Sequence, residues 1–344
     1  MHLLIDIRST SPTDPVITRY ASNWVNLWQS RHPGDLVSYI HFSHQKCPEN
    51  GKSIIAKHSW YWKWKSLKSP WSHEIFRCVN FSGYAPYDKN IVTINHIFDH
   101  TNTLYPSTEK SWIQEIVKKY TKKQLKKSGK IIVPSLVIWQ ETVDIIEIRE
   151  DNIEILPYIS FSLLTGDRRI LHQLSISWPY WIYDGSYGSE ANIYGLLGGY
   201  KAYRDLGGTH TLLLMWQPVD MELRRISDMV QKMNLTWSVR IIGILEEEHI
   251  ESLYMHSSGW LYIGAYYGGG PRIGLARSHK IPMLISDSPS LSDYHTGSIT
   301  IHPNHLSWLG QSLRDLEHKT KKEKRNVSND DIMKAYEKII AEKR

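Results

Sequence analysis

The stretch YYGGGPRIGLARSHKIPMLISD, Tyr266 to Asp287, is the one whose reading decides the fold. Three consecutive glycines, Gly268, Gly269 and Gly270, precede a segment that reads as a short helix, and an apolar strand follows. Glycine takes positive φ without a Cβ penalty and lets a ligand approach the main chain, while the start of a helix offers N–H groups and a positive dipole end. That combination suits a phosphate. Glycine runs also occur in plain loops, so the motif alone leaves both readings open. Arg272 and Arg277 flank the start of the helix, and Arg272 is placed to meet a phosphate there. The alternative is that both arginines are solvent-facing helix residues.

Working outward, the same alternation of strand and helix continues in both directions. In the second half YWIYDG, HTLLLMW, VRIIGIL, WLYIG, IPMLISD and SITIHP read as strands, with helical patterns over 191–204, 220–233, 247–256 and 305–316. In the first half HLLIDI, NIVTINHI, KIIVPS and NIEILPYI are strands, with helices over 16–28, 111–126 and 136–147. Strands separated by single helices pair in parallel through right-handed crossovers, which predicts an α/β chain of two doubly wound, Rossmann-like sheets facing a cleft. Ligands in such folds sit at the carboxyl ends of the strands. The hinge is expected between Tyr158 and Ser177, separating a unit over 1–165 from one over 170–325, with a closing helix over 328–344 that packs back on the first.

A length of 344 residues fits two domains of ordinary size. Hydrophobic content of 41% and charged content of 22% are those of a globular protein, and no apolar run is long enough to span a bilayer. The start, MHLLIDIRST, reads as a first strand rather than an export signal, and Cys47 and Cys78 have no paired spacing, so a reducing cytoplasm is expected. The net charge of +6 is concentrated in KKYTKKQLKKSGK (Lys118–Lys130) and HKTKKEKR (His318–Arg325). In the first run Ile113, Ile116, Val117 and Tyr120 recur at helical spacing, so its lysines form the solvated face of an amphipathic helix. The alternative is a peripheral docking patch for an anionic membrane or nucleic acid.

Within HSWYWKWKSLKSPW (His58–Trp71), Trp60, Trp62 and Trp64 alternate with Tyr61, Lys63 and Lys65, as on a strand with one aromatic face. Such rings stack on sugars or bases, which makes these tryptophans candidates for acceptor binding; packing of an exposed loop is the other reading. No RNA- or DNA-binding motif accompanies them, and no specific nucleic-acid partner is expected.

The order of these pieces resembles the GT-B glycosyltransferases, and specifically the retaining enzymes of glycosyltransferase family 4, over nearly the whole chain. IDIRST with VITRYA looks like that family's first strand and the loop into its first helix. VTINHIFDHTNTLYP resembles its strand ending in a histidine, and YDGSYGSEANIYGLLGGYKAY the opening of its donor domain. The segment from Ile241 to Tyr294 completes the pattern, and NVSNDDIMKAYEKII resembles its closing helix. The resemblance implies hexosyl transfer from a nucleotide sugar to a glycan, lipid-linked or other acceptor with retention, without a metal or other cofactor. It places Gly185, Ser186, Asn192, Gly243, Tyr267, the three glycines and Leu275 on the donor side, beside Arg272. Thr18 falls on the acceptor side with the three tryptophans, and His96 at the catalytic strand end.

Several charged positions depart from the family's pattern. Its donor loop supplies an arginine and a lysine to the diphosphate, where this chain has Ser186 and Ala191, with Glu190 beside them. Its two glutamates around the glycine segment are matched by Tyr267 and Leu275, and a phosphate-loop glycine by Thr18. A diphosphate in a partly desolvated site needs cations or several N–H donors. The second reading is therefore a catalytically degenerate GT-B protein that binds glycan or assembles with a partner glycosyltransferase.

Overall fold

Segments that are apolar at consecutive positions, rather than alternate ones, suit strands covered on both faces, as parallel strands are. The computed structural model describes residues 1–8, 15–42, 47–48, 51–56, 77–81, 91–105, 112–127, 129–161, 166–176, 179–185, 187–215, 220–243, 245, 247–267, 270–303, 306–319 and 328–342. The chain divides into two compact units. One comprises Met1–His100, Pro106–Phe161 and Asn326–Arg344, and the other Thr101–Tyr105 and Ser162–Arg325.

The first unit holds β1 (His2–Asp6), β2 (Leu36–Phe42), β3 (Lys52–Ala56), β4 (Arg77–Asn80), β5 (Val92–His96), β6 (Lys130–Val133) and β7 (Ile153–Ile155). They form one parallel sheet in the order β3-β2-β1-β4-β5-β6-β7. Leu4, Ile40, Phe42, Cys78 and Ile91 form a core cluster against which Ile54 packs. On the helix Pro15–Arg31, Trp24 and Trp28 stack at 5.4 Å, and Tyr20 meets Phe81, Phe98, Tyr158 and Phe161 edge-on. The helix Asn329–Ala341 is capped by Ser328, whose hydroxyl accepts from the Asp330 N–H. It is tied to this unit by the Arg31–Glu337 fork and by Arg77 Nε donating to the Ile340 carbonyl at 2.8 Å.

Three strands, β2 to β4, were absent from the sequence pattern, which reads the middle of this half as irregular. Polar residues interrupt LVSYIHF, yet Ser38 and His41 are buried in β2. Cross-strand bonds explain how: His2 Nε2 lies 2.9 Å from Ser38 Oγ, and His41 Nε2 lies 2.7 Å from Ser53 Oγ. The expected strand through Trp60, Trp62 and Trp64 falls outside the described residues.

The second unit holds β8 (Tyr180–Tyr183), β9 (Thr211–Met215), β10 (Val239–Ile242), β11 (Gly259–Tyr262), β12 (Met283–Ser286) and β13 (Ile299–Ile301). Its parallel order is β10-β9-β8-β11-β12-β13. Every residue of β8, β11 and β12 is buried. In each sheet the winding reverses beside the first strand, between β1 and β4 and between β8 and β11, and such a switch point opens a crevice at the strand ends. No helix among the described residues is long and apolar enough to cross a membrane.

Candidate functional site

At the switch point of the second sheet, the four apolar residues of β8 end on Asp184, whose exposure is 0%. An ionised carboxylate there needs compensating partners. Arg272, the first residue of the helix Arg272–Ser278, supplies one: its Nε lies 3.0 Å from Asp184 Oδ1, and its side chain is 14% exposed. Tyr254, from the helix Glu247–His256, supplies another by donating its hydroxyl proton to Asp184 Oδ2. Burial, followed by the charge of Asp184, pushes the Tyr254 hydroxyl well above its ordinary pKa, so it remains a donor. The two helices are pinned to each other by a second buried pair, His279 Nε2 and Glu251 Oε1 at 2.8 Å.

The glycine segment leads into this arrangement from β11. Gly270 has φ of 56°, the left-handed conformation that motivates a glycine, whereas Gly268 and Gly269 lie outside the described residues. Tyr267 is buried, and its hydroxyl accepts from the Ile273 N–H at 3.0 Å, so a protein oxygen occupies one N–H at the start of the helix. Its own N–H donates to Ser290 Oγ at 2.8 Å, and its ring meets Tyr262 edge-on at 5.0 Å. Arg277 lies over the Tyr294 ring. Leu275 is fully buried in the middle of the helix.

On the β8 side, a Cβ added to Gly185 would come within 2.7 Å of the Tyr262 ring and 2.9 Å of the Tyr183 hydroxyl, so the space beside this glycine is filled by the protein's own rings. Ser186 lies outside the described residues. Tyr187 donates to the Met215 carbonyl at 2.7 Å and Tyr262 to the Tyr266 carbonyl at 2.6 Å. Glu190 is buried, and its carbonyl accepts from Ala265 N–H at 2.7 Å, joining the loops after β8 and β11. Asn192 takes φ of 52° and donates Nδ2 to the Pro303 carbonyl at 3.1 Å; Gly243 follows β10 and is half-buried.

The structure therefore gathers Gly185, Tyr267, Gly270 and Arg272 around the ends of β8 and β11. Sequence reasoning missed Asp184, Tyr254, Glu251 and His279. The signal for Asp184 was present, since an acid directly follows an otherwise apolar strand; nothing local marks Tyr254. In the first unit Thr18 is half-buried on the first helix. His96, at the end of β5, is 5% exposed, lies 3.2 Å from the Tyr336 hydroxyl through Nε2, and packs against Phe81 at 4.3 Å. Burial lowers its pKa to about 3, so the ring is neutral near pH 7. The switch point of this sheet also carries a buried pair, with Arg8 donating Nε and Nη2 to the two Asp6 oxygens at 3.0 and 2.6 Å.

No protein-family model matches the sequence, and no curated protein resembles it at sequence level. Solved structures do match in shape. HepE of Anabaena, solved with UDP and glucose, has a TM-score of 0.68 at 10% identity, over 92% of this chain and 90% of its own. Sucrose-phosphate synthase of Thermosynechococcus elongatus has a TM-score of 0.65 at 13% identity, over 99% of both chains. A glycosyltransferase of Rickettsia africae has a TM-score of 0.65 at 12% identity, over 99% of both chains. Two parallel α/β sheets wound in this order, matched to such proteins over nearly the whole chain, give the protein the GT-B fold.

Proposed function

We propose that the protein is a glycosyltransferase that takes a nucleotide sugar at the ends of β8 and β11 and transfers the sugar, with retention, to a glycan, glycolipid or other acceptor. The observation that carries this reading is the position of Arg272. It stands at the switch point of the second sheet, beside the glycine segment, where doubly wound folds receive phosphorylated ligands. The ligands of the matched structures, UDP and glucose among them, support the same class of donor. In such a reaction the protein's work is to position the donor and to stabilise charge on the departing phosphate. Asn192 and Gly243, after β8 and β10, fall on the donor side of this reading, and Thr18 and His96, in the first unit, on the acceptor side.

A second reading, a GT-B protein without turnover that binds glycan or a partner transferase, is favoured by the occupation of the anion-binding groups: Asp184 holds Arg272, and Tyr267 holds the Ile273 N–H. Calorimetric titration with nucleoside diphosphates and their sugars, followed by assay of sugar transfer from any donor that binds, separates the two. Binding with release of free nucleotide in the presence of an acceptor supports the transferase. Binding without release supports the second reading, and silence across the panel rejects the transferase.

A further inference from the structure

Asp184 and Arg272 do more than fill the switch point, because they bear on which ligand the site accepts; the argument rests on the donor reading above. A diphosphate entering this site needs cations or unoccupied N–H donors. Asp184 Oδ1 lies 3.0 Å from Arg272 Nε, and Oδ2 is held by the Tyr254 hydroxyl. A second carboxylate, Glu190, is buried on the loop leaving the same strand. Arg277, the other guanidinium of the helix, is turned to the Tyr294 ring. The hydroxyls around the site are committed as well: Tyr187, Tyr262 and Tyr267 bond to backbone groups.

We propose that Asp184 is a built-in counter-anion for Arg272. Its carboxylate takes the guanidinium that a donor's diphosphate would take, and so it determines how tightly this site binds diphosphates. A nucleotide sugar must displace Asp184, or leave its diphosphate without that arginine. Either way the phosphates add little affinity to the nucleoside in the native protein. Removing the carboxylate while keeping the shape of the side chain withdraws this counter-charge from a largely buried cation, and a charge-assisted contact to phosphate then becomes more favourable.

The test compares the wild-type chain with Asp184→Asn by calorimetric titration of UDP, uridine and inorganic pyrophosphate at low salt. In the wild type UDP should bind within about threefold of uridine, and Asp184→Asn should tighten UDP by about tenfold or more, a gain expected of one charged hydrogen bond. The double variant Asp184→Asn with Arg272→Gln should lose that gain. If wild-type UDP binds about a hundredfold tighter than uridine, or if folded Asp184→Asn binds UDP no better than wild type, the counter-anion role is overturned while the donor reading stands. If neither protein binds UDP, uridine or pyrophosphate, the counter-anion role is overturned; failure of the whole nucleotide panel in both proteins removes the donor reading as well. Should Asp184→Asn not fold, judged by circular dichroism, Asp184→Ser carries the same comparison, and the wild-type ratio of UDP to uridine decides without any variant.

Discussion

A buried carboxylate is tolerated only where a cation or strong donors reach it, and Glu251 shows what that requires. It has no exposure, and His279 lies 2.8 Å away from the end of the helix that carries Arg272. Replacing His279 by Ala should cost about 1–3 kcal/mol of stability, because the fully buried Glu251 would lose the ring nitrogen 2.8 Å from its Oε1. Urea denaturation measures this, and a cost below about 1 kcal/mol would show that solvent or another group takes over. Two other histidines impose a pH dependence. Burial lowers His96 to about 3 and His100, beside Thr142, to about 4, from 6.5. Both folded values lie below the unfolded one, so the unfolded chain takes up protons first as pH falls. The stability they retain above pH 6.5 is lost as the medium is acidified toward pH 4 and 3, by up to about 1.4 kcal/mol per pH unit for each ring. Denaturation midpoints of wild type and His100→Gln between pH 7 and 4 should diverge, the variant falling less steeply; parallel curves would count against a neutral buried His100.

Elements meet where side chains allow it, and the helices Ile193–Asp205 and Leu309–Glu317 meet through glycine. A Cβ on Gly199 would lie 2.1 Å from Leu309 Cδ2 and 2.7 Å from Leu309 Cβ, whereas one on neighbouring Gly198 would find open space. Gly199→Ala should therefore destabilise by about 1–3 kcal/mol through overpacking, while Gly198→Ala should be neutral or stabilising by up to about 1 kcal/mol. Thermal melts of the two variants are a paired check, and equal shifts would remove the packing explanation. Nothing in YGLLGGYKAY distinguishes the two glycines; only the helix laid across one of them does. The same holds for the lysine-rich helix Trp112–Leu125. Its charges were legible, but that Lys122 and Lys126 converge on Glu147, at 2.6 and 3.1 Å, follows from how the next helix ends.

For the whole molecule, the last helix belongs to the first unit although it follows the second in sequence. Truncation after residue 327 removes Tyr336 from His96, Glu337 from Arg31 and the Ile340 carbonyl from Arg77. Hydrogen exchange should then accelerate in β1, β4 and β5 while β8 to β12 keep their protection, and uniform loss in both units would contradict this assignment. The sequence by itself determined the alternation of apolar strands with helices in two halves, because parallel strands are apolar along their length and each crossover demands a helix. It also determined the glycine segment and the arginine beside it. Tertiary structure alone decided that Ser38 and His41 belong inside β2, that Tyr267 reaches the Ile273 N–H, and that Arg272 is paired with Asp184. Ser38 and His41 lie 36 and 12 residues from their partners His2 and Ser53, and the other two pairs are 6 and 88 residues apart; hydrogen bonding of buried polar groups is settled only when those chain segments are brought side by side.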